Sequence, residues 1–468
     1  MPVVGGLLAE EKGLDPATAK AGTVQEVLPM SEGFSVTRVA GTRTGEATDE
    51  LPFGVDSRKT SLMDFLDVEG DMMTRAHLFT NFLEDARSRG HLHYRRVSVT
   101  GSGPVVEVLD PETGKIKPMV YMASNDYLNL TRHPRTIAAG IEALRKYGSG
   151  AGSVPLLGGT FDIHIALERE VAAFKGCEAA ILHTSGFGSN AGTLLTLLNK
   201  KDVAILDLLV HASLKDGCAN TNIDYFRHSN MDSLERVLAK SRPQFRTKLV
   251  VVDGVYSMDG DIAPLDRIVE LAHAYGAYVM VDEAHATGVI GKTGRGTPEH
   301  CGVEGKVDIV AGTFSKALGS VGGFIATNKE LVSLLHFYAR SYMFSTAPTP
   351  QSVASLREAL RIIVEEPRWR ETLWENIRYF RKNLLAMGYD MGNSETAIFP
   401  LIIRDDLKVK DMVKFCHDNG LYVNPVIYPA VPRKLSRLRA SLMATHTREH
   451  LDKALEVLEA AGKKYEVI

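Results

Sequence analysis

One lysine, Lys316, lies between hydroxyl residues and a glycine-rich run in the segment GTFSKALGSVGG, just after the apolar stretch KVDIVA. An ammonium group withdrawn from water costs free energy unless it is paired or used covalently. A lysine at the end of a buried strand is therefore either a solvated turn residue or a group with a chemical task. The residues that the fold places beside Lys316 decide between these two interpretations.

Other reactive side chains also follow predicted strands. The segment YVMVDEAH ends its strand on Asp282 and carries His285 three residues later. The segment AILHTSGFGSN ends on Thr184 and Ser185 before two glycines open a helix, and DLLVHASLKDG presents His211. Ligands of open α/β sheets bind beyond the carboxyl ends of the strands, so we expect these groups to share one site.

Together these side chains could hold one anionic, aromatic cofactor that carries an aldehyde. The helix N-terminus after TSGFG offers free backbone N–H groups to a phosphate. A carboxylate can pair with a protonated pyridine nitrogen, a lysine can form a Schiff base, and a histidine can stack on the ring. Each signal is weak alone, because glycine-rich turns and N-cap aspartates are common. The prediction depends on the order and spacing of the whole set.

Alternating helices and short apolar strands must position these groups. The strands EAAILHT, DVAILD, TKLVVVDG, AYVMVDEA, KVDIVAGT and GGFIAT are rich in Val, Ile and Leu, and helices such as TIAAGIEALRKYG end at glycine. This pattern predicts an α/β fold with a mostly parallel sheet covered on both faces.

The flanking regions predict further elements. GDMMTRAHLFTNFLEDARSRG predicts an amphipathic helix, and VVEVLDPETGKIKPMVYMAS predicts a hairpin whose turn contains Pro111, Thr113 and Gly114. After residue 350 we predict one long helical stretch, then strand AIFPLIIR, helix VKDMVKFCHDNG, strand LYVNPVIYP and a final helix. The resulting division is an N-terminal arm (1–104), a large α/β domain (105–350) and a small C-terminal α+β domain (351–468).

The composition excludes several classes of protein. The 468 residues are 44% hydrophobic and 24% charged with 41 glycines, as in a soluble α/β enzyme, and the net charge of −3 provides no basic surface for nucleic acid. The four cysteines are scattered, so we expect no disulfide framework, no metal site and a reducing, cytoplasmic location. No membrane span or signal peptide is predicted.

Six segments occur in a characteristic order: SNDYLNL (124–130), SGFGSN (185–190), HAS (211–213), DGVYSMDGDIAPL (253–265), VDEAHATGVIGKTGRG (281–296) and GTFSKALGS (312–320). This order resembles that of the α-oxoamine synthases, which are fold-type I enzymes that use pyridoxal 5′-phosphate. The resemblance begins at about residue 105 and continues to the C-terminus. It implies a seven-stranded type of sheet flanked by helices, with a smaller C-terminal domain.

The resemblance also implies a role for each reactive residue. Lys316 resembles the lysine that forms the Schiff base and removes the α-proton of the substrate. Asp282 resembles the partner of the pyridine nitrogen, His285 the residue that hydrogen-bonds the ring oxygen, and His211 the residue stacked on the ring. Lys316, His211 and Asp282 are therefore the implied catalytic residues.

Phosphate and substrate contacts are implied in the same way. The residues that match the phosphate site in the same subunit are Ser185, Gly186, Phe187 and Thr313. Ser345 and Thr346 in YMFSTAP match a phosphate contact from the neighbouring subunit, which implies a homodimer with shared active sites. Asn125 and Arg439 match positions that hold the amino acid, and the planar fork of Arg439 suits its carboxylate.

The implied reaction is the decarboxylative condensation of an amino acid with an acyl-CoA to an α-amino ketone. NPVIYPAVPRKLSRLRASLMATHT and GTFSKALGSVGGFIA most resemble bacterial serine palmitoyltransferases, which begin sphingolipid synthesis by making 3-ketodihydrosphingosine. Many members have an arginine where GSVPLLGGT (152–160) is apolar, which suits a fatty acyl chain or reflects ordinary packing. L-Serine with a long-chain acyl-CoA is favoured over the reactions of 8-amino-7-oxononanoate synthases and 2-amino-3-ketobutyrate CoA ligases.

Three rival interpretations have weaker support. VDEAH also occurs in helicases, but GVIGKT (288–293) is two residues too short for a phosphate loop and follows the acidic segment. A nicotinamide enzyme is disfavoured by the GxGxxxG spacing, and a non-catalytic subunit by the presence of Lys316. The sequence of residues 1–104 is compatible with three roles for this arm. It could cover the partner's site, make peripheral contact with the inner membrane or bind an acyl carrier protein.

Overall fold

The computed structural model describes residues 54–66, 68–110, 113–241 and 245–468, all within the unit Leu51–Ile468. Predictions about residues 1–53 lie outside the described residues. The α-helices are α1 (Met72–Ser88), α2 (Pro134–Tyr147), α3 (Asp162–Lys175), α4 (Gly186–Leu197), α5 (Ala212–Gly217), α6 (Met231–Ser241), α7 (Leu265–Ala274), α8 (Thr297–His300), α9 (Lys329–Tyr338), α10 (Arg340–Met343), α11 (Pro350–Glu365), α12 (Arg368–Met387), α13 (Asp406–Asp418) and α14 (Arg448–Lys464).

The strands form three sheets. They are β1 (Val97–Ser98), β2 (Val105–Leu109), β3 (Ile116–Tyr121), β4 (Ala179–His183), β5 (Val203–Asp207), β6 (Asn222–Phe226), β7 (Lys248–Asp253), β8 (Tyr278–Asp282), β9 (Ile309–Thr313), β10 (Gly323–Thr327), β11 (Ile398–Ile402), β12 (Leu421–Tyr422), β13 (Asn424–Val426) and β14 (Arg437–Ser441). Among the described residues, no helix combines the length and apolar character needed to cross a membrane.

A seven-stranded sheet in the order β4-β10-β9-β8-β7-β5-β6 forms the centre of the fold. Six strands point the same way, and β10 alone runs antiparallel to its neighbours β4 and β9. Strands β5, β7, β9 and β10 are buried along their whole length, as expected for apolar strands covered on both faces. The prediction of a fold-type I α/β architecture is confirmed.

The N-terminal region packs against the C-terminal part of the chain. Helix α1 forms as predicted, and Asp85 near its C-terminus accepts hydrogen bonds from the Ser57 N–H (2.8 Å) and the Arg89 guanidinium (2.9 Å). Lys410 of α13 donates to the Ser57 carbonyl (2.9 Å). The predicted hairpin also forms between β2 and β3, although Pro111 in its turn lies outside the described residues.

Two predicted elements are divided in the structure. The helical stretch after residue 350 is two helices, α11 and α12, because Pro367 between them has no N–H to continue the first. The predicted strand LYVNPVIYP is also two strands. Strand β12 pairs with β3 in a four-stranded sheet of order β1-β2-β3-β12, whereas β13 pairs with β14 in the three-stranded sheet. The chain thus passes from one sheet to another, with Val423 fully buried at the crossing.

A three-stranded antiparallel sheet in the order β11-β14-β13 completes the fold. Strand β14 was not predicted, because its sequence RLRAS alternates arginine with apolar residues. Both Arg437 and Arg439 are buried in this strand. The central sheet lies within the predicted large domain and this sheet within the predicted small domain, while the boundary at residue 350 stays a prediction.

Candidate active site

Lys316 lies at the carboxyl edge of the central sheet, three residues after β9 ends. Its half-buried ammonium makes no hydrogen bond, and no ion pair within 4 Å, with any residue that the structure describes. Burial lowers the pKa of Lys316 to about 8; the nearby Asp282 and Asp253 carboxyls oppose the shift, and the Arg439 charge adds to it. About a tenth of this amine is therefore unprotonated and nucleophilic at pH 7, far more than of an ordinary lysine.

Asp282 ends β8, the strand next to β9, and is almost completely buried. Its Oδ1 accepts a hydrogen bond from the Ala284 N–H (2.9 Å), and its Oδ2 accepts one from Asn190 Nδ2 (2.7 Å). Both contacts are donors toward the carboxylate, which suits an ionised acid. The carboxylate is thus held rigidly at the sheet edge beside Lys316.

A chain of hydrogen bonds joins Asp282 to His211. Asn190 Nδ2 also donates to Ser213 Oγ (2.9 Å), and this hydroxyl lies 2.7 Å from His211 Nδ1. Because the amide can only donate, the serine proton is directed to His211 Nδ1. Burial lowers the pKa of His211, opposed by the Asp282 charge, so the imidazole is neutral with its proton on Nε2.

His285 follows Asp282 by three residues and is buried. Its imidazole contacts a second hydroxyl group of the site. Its Nδ1 lies 2.6 Å from the Tyr127 hydroxyl. Burial holds the pKa of His285 well below its usual value, and the charges of Lys316 and Arg439 add to the effect. This ring is therefore neutral as well.

The two predicted substrate residues meet although they are more than 300 positions apart. Arg439 Nη2 donates to Asn125 Oδ1 (3.1 Å), and Arg439 Nε donates to the Ser257 carbonyl (2.7 Å). Arg437, two positions earlier on β14, binds the Asp259 carboxylate (2.8 Å) and so holds the same loop. The Arg439 guanidinium is thus fixed by neutral groups, and no carboxylate of the described ranges pairs with it.

The N-terminus of α4 lies directly against the end of β9. A Cβ added to Gly186 would lie only 2.8 Å from Thr313 Cβ, so this close approach requires glycine. Ser185 caps the helix by accepting from the Gly188 N–H (2.9 Å), while the N–H groups of Gly186 and Phe187 have no acceptor within the helix. The structure therefore brings together all four residues predicted for the phosphate site in the same subunit.

Ser345 and Thr346 follow α10 and are half-buried and exposed, respectively. Among the described residues, no side-chain hydrogen bond or ring contact joins either of them to the other predicted site residues. Their assignment to the site of a partner subunit stays a prediction.

Sequence reasoning missed four residues that the structure places at the site. Each lies inside a segment already recognised by its order: Tyr127 in SNDYLNL, Asn190 in SGFGSN, Ser213 in HAS, and Asp253 in DGVYSMDGDIAPL. They hold other side chains in place, and no property of the linear sequence shows such a role.

Comparison with known proteins identifies the family. The model of the aminotransferase class I and II family matches residues 117–458. The chain belongs to that family. Within it the chain is an α-oxoamine synthase, as predicted, and its cofactor is pyridoxal 5′-phosphate (PLP).

Relatives with two different specificities are similar to this α-oxoamine synthase. An 8-amino-7-oxononanoate synthase of Bacillus velezensis is 44% identical over 79% of this chain and 93% of that protein. A serine palmitoyltransferase of Sphingobacterium spiritivorum is 42% identical over 83% of this chain and 96% of that protein. The structure of a serine palmitoyltransferase from S. paucimobilis has a TM-score of 0.80 and 35% identity, covering 85% of this chain and all of that one.

The residues at the sheet edge fit PLP. Lys316 is an amine without a partner among the described residues, Asp282 makes only accepting hydrogen bonds, and the start of α4 exposes N–H groups beside a glycine that leaves space. These groups match an aldehyde, a protonated pyridine nitrogen and a phosphate. No group of His, Cys, Asp or Glu side chains suited to a metal ion occurs among the described residues.

Proposed function

We propose that this α-oxoamine synthase joins L-serine to a long-chain acyl-CoA with loss of carbon dioxide, giving an α-amino ketone such as 3-ketodihydrosphingosine. The central observation is Lys316, a half-buried amine with a pKa of about 8 and no partner in the part of the chain that the structure describes, beside the buried carboxylate of Asp282. When bound, PLP supplies an electron sink for the charge that develops at the α-carbon of the amino acid. The remaining steps belong to the residues of the chain.

We assign proton movement to Lys316 and its neighbours. The neutral amine of Lys316 takes the α-proton, because burial has already removed much of the preference for the ammonium form. The Asp282 carboxylate, held by its two hydrogen-bond donors, would pair with the pyridine nitrogen of bound PLP. With PLP bound, His211 would stack on one face of the ring and His285 would donate to the ring oxygen.

Binding and orientation are assigned to the charged and small residues around this centre. Arg439 takes the substrate carboxylate, since its guanidinium has no carboxylate partner among the residues described and Asn125 holds its direction. Thr313 and the start of α4, Ser185–Phe187, take the phosphate. Ser345 and Thr346 complete the phosphate site of the second subunit in a homodimer.

The preference for a fatty acyl chain is supported by the segment 152–160. Leu156 and Leu157 in this segment are 37% and 82% exposed, so apolar surface is available there. Many family members have an arginine in this segment, whereas residues 154–157 of this chain are all apolar, so this stretch offers no cation to a carboxylate-bearing acyl group. We do not extend the proposal to a membrane contact.

The second candidate is an 8-amino-7-oxononanoate synthase, because several such enzymes are 40–44% identical to this chain. A 2-amino-3-ketobutyrate CoA ligase is a third candidate from the same family. These reactions share the formation of a carbon–carbon bond at the α-carbon and differ in the amino acid and the acyl group. The third also differs in its product, because 2-amino-3-ketobutyrate keeps the carboxylate that the other two reactions lose.

Release of coenzyme A separates the candidates. The PLP-loaded enzyme is assayed with L-serine, L-alanine or glycine, each paired with palmitoyl-CoA, a dicarboxylic acyl-CoA or acetyl-CoA. We expect the highest kcat/KM for L-serine with palmitoyl-CoA, and Val154→Arg should reduce that value more than the value with acetyl-CoA. A preference for L-alanine with the dicarboxylic thioester would overturn the proposal in favour of the second candidate.

A further inference from the structure

The hydroxyl of Tyr127 lies between the predicted substrate and cofactor contacts. The residue is 1% exposed, and its oxygen lies 2.6 Å from His285 Nδ1 and 3.4 Å from Asn125 Oδ1. Asn125 Oδ1 in turn accepts from Arg439 Nη2. A continuous line of contacts therefore runs from the guanidinium of Arg439 to the imidazole of His285.

The direction of the hydrogen bond between Tyr127 and His285 follows from a count of protons. The phenol has a single proton, and burial raises the pKa of Tyr127 to about 12, so it keeps that proton at neutral pH. If Nδ1 of His285 carried the ring proton instead, the phenol would have to donate over 3.4 Å to Asn125. That contact is near the limit for an O–H donor, whereas 2.6 Å is a short, strong distance.

We infer that Tyr127 is a positioning residue that keeps the single ring proton of His285 on Nε2. The neutral imidazole has one N–H, and the phenol at Nδ1 determines which nitrogen carries it. This inference rests on the proposed function in one respect: Nε2–H is then the donor available to the ring oxygen of the cofactor. Without the phenol, the two tautomers of His285 become similar in free energy and the donor is present for only part of the time.

The test compares Tyr127→Phe with Tyr389→Phe in the full-length, PLP-loaded enzyme. Tyr389 is an equally buried tyrosine whose hydroxyl donates to the Leu458 carbonyl (2.6 Å) in the C-terminal part of the chain. Both variants lose one buried hydroxyl hydrogen bond and should lose similar stability. Only Tyr127→Phe should affect His285.

Two spectroscopic readouts report on His285 directly. In protein labelled with ¹⁵N-histidine, the signals of His285 are identified by their loss in His285→Gln. We expect the Nε2–H tautomer in the original protein and in Tyr389→Phe, and a mixture of tautomers in Tyr127→Phe. The pH midpoint of the visible cofactor band should also shift by about one unit in Tyr127→Phe alone.

An unchanged tautomer and an unchanged pH midpoint in Tyr127→Phe would overturn the inference and reduce Tyr127 to a packing residue. These readouts need no turnover. Failure of the condensation assay with every substrate would therefore leave the tautomer result standing, and a negative tautomer result would leave the proposed reaction standing.

Discussion

Two lysines of this chain are withdrawn from water beside consecutive acidic residues, and their surroundings are opposite. Lys175 pairs with Glu283 (3.3 Å), with side chains 2% and 0% exposed, and also donates to the Arg295 carbonyl (2.6 Å). Lys316 lies near Asp282, the residue before Glu283, and has no partner among the described residues. Asp282 and Glu283 are therefore adjacent in the sequence but differ in their surroundings. Glu283 belongs to a fully paired ion pair, which we call the closed pair, and Asp282 belongs to the reactive centre around Lys316, which we call the open centre.

The Lys175–Glu283 pair is closed because both side chains make further hydrogen bonds and no space is left beside them. Glu283 accepts the Thr297 N–H (3.0 Å), and a Cβ on Gly296 would lie 1.5 Å from Glu283 Oε2, so no space for a ligand remains. Burial lowers the pKa of Lys175, but the adjacent carboxylate opposes the change. A buried charge with complete partners supports the fold, whereas one without partners is available for chemistry.

The largest expected effect is the loss of enzyme activity when Lys316, in the open centre, is replaced. Lys316→Ala should lower kcat by at least about 10³-fold, because the group that takes the α-proton is lost. In protein freed of PLP, its unfolding midpoint should stay the same or rise, since no hydrogen bond is removed. Coenzyme A release and thermal unfolding measure the two effects, with Lys306→Ala, at an exposed lysine, as control.

Retention of near-normal turnover by Lys316→Ala would contradict the assignment. Borohydride reduction of the PLP-loaded enzyme, followed by peptide mapping, should then place the cofactor on another lysine.

Breaking the closed pair should instead affect stability. Lys175→Met or Glu283→Gln should each lower the free energy of unfolding by about 3–5 kcal/mol, because each leaves one buried charge without its partner. The double variant should lose less than the sum of the two. Urea denaturation measures these values.

The exposed pair Lys463–Glu459 provides the control for that experiment. Lys463→Met should cost less than about 1 kcal/mol, as surface ion pairs contribute little. Equal losses of unfolding free energy in Lys175→Met and Lys463→Met would show that the buried ion pair does not form in solution.

Chemical modification separates the two lysines by their reactivity. In protein freed of PLP, an amine-directed reagent should modify Lys316 with a midpoint near pH 8. At pH 7 it should react roughly 10²-fold faster than an exposed lysine, because far more of it is neutral. Lys175 should stay unmodified until the protein unfolds, and peptide mass spectrometry follows both sites.

A smaller effect is expected from a third charged cluster at the same sheet edge. His228 contacts Asp207 (3.0 Å) and Asp261 (2.9 Å); burial alone would lower its pKa, but these two bonds raise it to about 10. The folded pKa lies above the unfolded value of about 6.5, so this stabilisation is complete below about pH 6.5. It is lost as the pH rises through 10.

Urea denaturation between about pH 6 and 10 tests this closed cluster. The original protein should lose stability over that range, and His228→Gln should lose much less. Parallel curves for the two proteins would show that His228 is neutral when folded.

Sequence patterns predicted the parts of the fold that repeat. The apolar strands of the central sheet and the helices ending at glycine were correct because burial on both faces demands continuous Val, Ile and Leu. Strand β14 was not predicted because arginine is usually a surface residue. Arg437 and Arg439 are buried here because carbonyl groups of loop 257–259 accept their hydrogen bonds.

The sequence by itself determined the kind of chemistry, because the types and order of Lys316, Asp282, His285 and His211 are properties of the chain. Only the tertiary structure decided which charges are satisfied. Lys175, for example, is paired because folding brings it to Glu283, which lies 108 residues away along the chain. Hydrogen bonds and desolvation act over a few ångströms in space, and linear spacing does not encode those distances.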